Sequence, residues 1–321
     1  VTSVQLAQAS NAAVYATMVT LAIAMVFFAV SFAAGRRRTP VAASATAVVE
    51  GGGGTAVMTR PPEVTDAHVE PGRRAANIGM SLTWLAFLLL LAGVVLRGVW
   101  AGRAPWGNMY EFSISAALGV LGVFLVMSLR RDLRWLGLFV VIPTLLWLGL
   151  AVTVLYTEAA QLVPALKSYW LVIHVAAAII CFGAFTMAAA TAGLALARGR
   201  AERRQGTTDV VGWMSRMPTS ERLEVLTNRV VAFSFPLWTF AVVAGAIWAE
   251  NAWGRYWGWD PKETWAFITW VVFAAYLHAR STAGWRGNRA SWIAIAGWVS
   301  FIINYFGVNI FATGLHSYAG V

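Results

Sequence analysis

Trp253-Gly254-Arg255-Tyr256-Trp257-Gly258-Trp259-Asp260-Pro261-Lys262-Glu263-Thr264-Trp265 lies between two long apolar runs. It packs four tryptophans and a tyrosine into one short stretch, with no aliphatic side chain among them. Aromatic belts at a membrane surface account for one or two such residues. They do not account for a dense platform of flat rings, which suits a large, flat, apolar ligand. The flanking runs decide the fold. Runs of about 20 apolar residues recur along the chain, long enough to cross ~30 Å of hydrocarbon. They are continuous rather than alternating, which selects helices over a β-barrel. Of 321 residues, 59% are hydrophobic and 12% charged, too apolar for a soluble domain of this length. The expectation is an all-α polytopic membrane protein of about eight transmembrane helices, both termini extracytoplasmic.

Working outward, the runs fall at about 12–34, 76–99, 111–129, 135–155, 169–197, 227–249, 262–280 and 291–311. The first ends in Arg36-Arg37-Arg38. Its charges follow the apolar part, so residues 1–38 read as an anchor with the N-terminus outside, not as a cleaved signal. Residues 39–75, rich in Ala, Gly, Thr, Val and Pro, read as a flexible cytoplasmic linker that includes His68. Residues 76–321 form the main transmembrane domain, with the tryptophan loop at about 250–265. Pro218-Thr219-Ser220-Glu221 has the chemistry of a helix start.

The net charge of +10 invites a nucleic-acid reading, which its distribution excludes. Only five of the 24 basic residues (Arg97, Arg103, Lys167, Arg255 and Lys262) fall on the side that carries the tryptophan loop. The basic side is therefore cytoplasmic. A single cysteine, Cys181, lies mid-run as a small core residue; without a CxxC pair the chain cannot run dithiol exchange alone.

Three of the four histidines lie in or beside apolar runs. His174 is about five residues into the fifth run, ~8 Å below its outer end. His316 follows the eighth run, on the same outer side. His278 lies 13 residues past Trp265 on the inward seventh run, roughly 20 Å deeper. Metal–imidazole bonds are ~2 Å long, so His278 cannot share a metal with the outer pair. A buried histidine can simply hydrogen-bond across helices. Ionisable groups within membrane spans are costly and usually functional, however. Two imidazoles converging on a flat aromatic platform make a low-spin haem site, with His174 and His316 on the two faces of the iron. The inner level offers His278 alone, so its second ligand comes from a partner chain or another residue type.

Within the loop, Asp260-Pro261-Lys262-Glu263 fits a helix start: Asp at the N-cap, Pro at N1, Glu closing a capping box. Asp260 serves as cap alone, or as cap with a further functional contact. Trp253 and Trp257 share a face if that segment is helical. With Tyr256 and Trp259 they are the candidate haem platform. Arg255 and Lys262 suit the two haem propionates, and Lys262 equally suits an interfacial anchor.

At these residues the chain resembles the tryptophan-rich "WWD" haem-handling family, in its CcsA branch (ResC, or CcsB in many bacteria). The motif is Trp253-Gly254-Arg255-Tyr256-Trp257-Gly258-Trp259-Asp260. Asn108-Met109-Tyr110-Glu111 in the earlier outer loop, and the order His174, motif, His278, His316, belong to the same likeness. It spans roughly residues 77–321. The resemblance implies cytochrome c maturation by the two-component route (System II) in a bacterial plasma membrane, beside a ResB-type partner. Haem b would pass from the cytoplasmic side to the outer face. There thioether bonds would form between its vinyls and the Cys-x-x-Cys-His motif of apocytochrome c. His174 and His316 would be the outer axial ligands and His278 the inner one. Asn108, Tyr110, Glu111, Gly254 and Asp260 would belong to the haem site. With no large outer domain, the likeness is to the separate-subunit form rather than the fused synthetase. Two alternatives remain: a haem exporter or chaperone that hands haem on without ligation, and a structural b-type cytochrome subunit.

Overall fold

In the computed structural model the described residues are 2–34, 72–158 and 168–315. His316, His68, Lys167 and nearly all of the 39–75 linker lie outside them. Among the described residues the regular secondary structure is all helical. The long helices are α1 (Ser3–Ala33), α2 (Arg73–Ala101), α3 (Met109–Arg130), α4 (Gly137–Thr153), α5 (Tyr169–Gln205), α6 (Ser220–Trp253), α7 (Pro261–Ser281) and α8 (Asn288–Ile302). A π-helical turn, Ile303–Gly307, joins α8 to the short α9 (Val308–Phe311). Seven of these segments, with α8 to α9 as one, are long and apolar enough to cross a membrane. The remaining one, α7, has 21 residues and keeps its charged groups and histidine at its two ends. At ~1.5 Å per residue it also spans the ~30 Å of hydrocarbon. The chain is a multi-pass membrane protein.

Close approach of backbones holds the bundle together, as expected where lipid gives no hydrophobic drive between helices. A Cβ on Gly183 of α5 would stand 2.4 Å from the Gly119 carbonyl oxygen of α3, and one on Gly119 2.6 Å from that of Ile179. Those two glycines let α3 and α5 touch. Phe28 of α1, almost wholly buried, wedges its ring against Gly79 of α2 and Gly137 of α4. Hydroxyls tie the α5–α6 pair, with Thr191 and Thr227 2.8 Å apart. Cys181 is buried in the same seam, as its sequence position suggests.

Helices alternate in direction. Asn11 near the start of α1 donates to Tyr156 beyond the end of α4 (2.9 Å). At the other end of the bundle the start of α2 at Gly72 packs on Ser31 of α1, and Arg216 donates to the Ser31 carbonyl (3.2 Å). α5 has 37 residues, ~55 Å at the standard rise, so its last turns project beyond any bilayer core. There Arg198 pairs with Glu202 (3.0 Å) and also donates to the carbonyls of Thr208 and Met214, folding the connection to α6 back onto α5. Glu202 in turn accepts from the Ser220 amide (3.1 Å). Thr219 caps α6, as the Pro218–Glu221 pattern predicts.

Candidate functional site

A cleft opens at the end of the bundle where α5 and α7 begin and α3, α6 and α8 contribute. Leu171, His174 and Val175 of α5 form one wall. Trp238, Gly245 and Trp248 of α6 form a second, and Phe301, Asn304 and Tyr305 close it from α8 and the π-turn. Asn108 and Met109 enter from the start of α3, Tyr256 and Trp257 from the tryptophan loop, and Lys262 and Glu263 from the first turn of α7. The walls are mostly apolar and aromatic with a few polar groups, the usual lining of a ligand or cofactor site.

His174 is fixed by α6. Its Nδ1 lies 2.7 Å from the carbonyl oxygen of Ala241. A carbonyl can only accept, so Nδ1 carries a proton, and in the neutral ring the lone pair is on Nε2. Metal-ligating histidines are oriented and tuned in this way. The ring stacks over Trp248 at 6.4 Å between centroids and 10° between planes. Gly245, one turn beyond Ala241, makes the room: a Cβ there would stand 2.8 Å from Nδ1. Among the described residues no three His, Cys, Asp or Glu side chains converge as a bare-metal site. A haem asks less of the protein, since the porphyrin supplies four ligands and the protein only the axial ones.

The tryptophan loop is not helical. Gly254, in the left-handed region at φ +69°, ends α6 immediately after Trp253. Trp253 and Trp257 therefore do not share a helical face. Trp253 instead packs on Trp248 at 4.8 Å, behind the cleft wall. Tyr256 and Trp257 line the cleft. Trp259 does not; it is 67% exposed and sits edge-on to Trp257. Trp259 also adopts φ +58°, left-handed backbone that costs a bulky residue about 1–3 kcal/mol. The α7 cap holds it there. The capping box expected from sequence is complete, and the Glu263 carboxylate accepts from the amides of Gly258 (2.7 Å) and Asp260 (3.1 Å). Asp260 accepts from the Lys262 amide (3.2 Å) with one oxygen. With the other it accepts from Leu315 (2.8 Å), the residue before His316. Arg255 lies over Gly258 and is not part of the cleft lining; Lys262 is.

Of the Asn108–Glu111 group, only Asn108 and Met109 line the cleft. Asn108 caps α3 by accepting from the Glu111 amide (2.9 Å). Glu111 and Arg97 are both 0% exposed and paired at 3.1 Å, and Arg103 adds a second guanidinium at 2.7 Å. Glu111 also accepts from the Gly107 amide, and Tyr110 stacks its ring beneath Arg97. Tyr110 and Glu111 thus hold the outer loop's shape and place Asn108 at the rim. His278 is elsewhere. It is exposed near the far end of α7, beside Arg280, which pairs with Glu224 at the start of α6 (3.5 Å).

The sequence reading missed Trp248, Gly245, Trp238, Asn304 and Tyr305. The spacing of Ala241, Gly245 and Trp248 marks one face of α6 and carries a usable signal. The π-turn that turns Asn304 and Tyr305 inward has no sequence signature, though such turns gather at functional sites. Three buried polar atoms without a partner among the described residues, Trp238 Nε1, Glu263 Oε1 and Asn304 Oδ1, belong to residues lining this cleft.

A family model described as cytochrome c assembly protein matches residues 106–316, from the outer-loop tryptophan to His316. The chain belongs to this family. Curated relatives place it in the CcsA branch. The cytochrome c biogenesis protein CcsA of Guillardia theta is 36% identical over 256 residues, covering 75% of this chain and 85% of the relative. That of Picosynechococcus is 34% identical over 296 residues, covering 75% and 87%. A solved structure of the cytochrome c heme lyase CcmF superposes with a TM-score of 0.57 at 17% identity. It is matched over 97% of this chain, which spans half the length of that structure. That likeness is one of fold. As a CcsA-family member, the chain has a role in cytochrome c biogenesis.

Proposed function

We propose that the chain is the membrane subunit of a two-component (System II) cytochrome c synthetase, working beside a ResB-type partner. It takes haem b at the cytoplasmic side of a bacterial plasma membrane and presents it in the cleft at the outer face. Apocytochrome c brings the two thiols of Cys-x-x-Cys-His to the haem vinyls, and thioether bonds form. The observation that carries the reading is the His174 imidazole, proton fixed on Nδ1 by Ala241 and Nε2 left with the lone pair, in a cleft walled by Trp248, Trp257 and Tyr256. His316 is the second outer ligand in this reading, and the Asp260–Leu315 bond brings its neighbour to the loop. Lys262 in the lining provides a cation for a propionate.

At the inner level, His278 shares an exposed apolar stripe of α7 with Phe267 and Val271. The partner's helix packs on this stripe and supplies the second ligand. The basic end of the bundle, with Arg130, Arg131, Arg203 and Arg204, is cytoplasmic by the positive-inside bias, which leaves both termini outside. The chemistry asked of the protein is mostly placement. Well-oriented reactants gain up to ~7–11 kcal/mol of the barrier from proximity.

The test is attachment in vitro. The purified complex with its partner, given reduced apocytochrome c and haem, should yield covalent product resistant to acid–acetone extraction. Haem transfer to the acceptor without covalent product would point to the exporter reading instead.

A further inference from the structure

The addition of a thiol to a vinyl group requires a proton to move. The S–H bond and the C=C π bond break, an S–C bond forms at one vinyl carbon and a C–H bond at the other. No electrons are gained or lost overall. The proton must leave sulfur and reach carbon inside a cleft whose walls are largely apolar. The titratable side chains of the cleft lining are His174, Tyr256, Lys262, Glu263 and Tyr305. His174 has its Nδ1 proton committed to Ala241 and its Nε2 assigned above to the haem iron. The Tyr305 hydroxyl is held by Ser113 (2.9 Å) and the Met109 carbonyl (3.2 Å). Lys262 is assigned above to a haem propionate, and the Tyr256 side chain is largely exposed. Glu263 is the one carboxylate, 8% exposed.

Its two oxygens differ. Oε2 receives both loop amides of the α7 cap. Oε1 is buried and has no partner among the described residues. A buried carboxylate oxygen left unpartnered costs free energy, and such atoms call for a functional or solvent explanation. The cap holds the carboxylate by one oxygen, while the other is left buried and unpartnered on a residue of the cleft lining. Resting on the function proposed above, we infer that Glu263 Oε1 takes the proton from the incoming thiol and returns it to the vinyl carbon. The carboxylate is regenerated after each of the two additions, so the residue carries the proton without being consumed.

Glu263→Gln and Glu263→Asp in the full complex test this. Gln retains a carbonyl oxygen for the loop amides, so the cap and the cleft persist. Haem content and spectrum should match wild type, while the attachment rate falls by about 10²–10⁴, the usual contribution of a positioned acid–base group. Glu263→Asp, which keeps a carboxyl, should retain at least about tenfold more rate than Gln. A Gln variant attaching within about twofold of wild type would overturn the inference. So would equal losses in Gln and Asp, or a Gln variant that loses haem together with attachment. Failure of the wild-type complex to attach haem at all would instead sink the functional reading.

Discussion

Asp260 and Leu315 are joined by a hydrogen bond of 2.8 Å from the Leu315 amide to Oδ2, and Gly314 is packed so closely that a Cβ on it would stand 2.4 Å from the same oxygen. One carboxylate thus starts α7 and ties down the chain immediately before His316. Replacing Asp260 by Asn keeps one acceptor and should shift the thermal midpoint little. Replacing it by Ala removes the cap and should cost about 1–2 kcal/mol. Both should raise amide exchange in residues 313–315, measured by hydrogen–deuterium exchange in detergent. Unchanged protection in the Ala variant would show that the tie does not hold the tail.

Gly245→Ala places a Cβ 2.8 Å from His174 Nδ1 and forces the ring off the Ala241 carbonyl. Overpacking of this kind costs about 1–3 kcal/mol, so haem retained on purification should fall by roughly tenfold or more. A pyridine haemochrome assay against protein concentration measures this. Gly193→Ala on α5, where nothing lies within 4 Å of the added Cβ, is the control and should be silent.

Gly183→Ala drives a methyl to 2.4 Å from the Gly119 carbonyl oxygen, backbone that cannot swing away. α3 and α5 must separate, and the expected loss is about 1–3 kcal/mol. It should appear as a lower thermal midpoint in detergent, while substitution of the exposed Val126 on α3 by Ala leaves the midpoint unchanged.

Glu111→Gln removes the charge that two guanidiniums share. Arg97 is wholly buried and would be left without its counter-charge, a loss of about 3–5 kcal/mol for breaking one side of a buried pair. The folded yield should drop sharply, measured by fluorescence-detected size exclusion. The role assigned here is to shape the outer loop, so protein that does fold should still bind haem. Normal yield together with lost haem would instead make Glu111 a direct contact.

The helical membrane fold and the α7 cap were legible because each rests on local chemistry: apolar run length, and Asp-Pro-x-Glu spacing. The cleft was legible only in outline. Trp253 and Trp257 share a face only if their segment is helical; Gly254 ends α6 between them, and Trp248 supplies the ring beside His174 instead. Tyr110 and Glu111 sit beside Asn108 in sequence yet serve an ion pair with Arg97. That pairing depends on how α2 meets α3, which sequence spacing does not encode. The π-turn at Asn304 and Tyr305 is likewise set by packing around it. His278 stands far from the cleft, as counting residues along α7 suggested.

The central claim is that His174 Nε2 ligates haem iron in the cleft. Its most direct test is the absorption spectrum of purified His174→Gly protein with and without added imidazole. Loss of the low-spin bands of the wild type, and their return on adding imidazole, is the predicted result. A variant spectrum identical to wild type, with no response to imidazole, would contradict it.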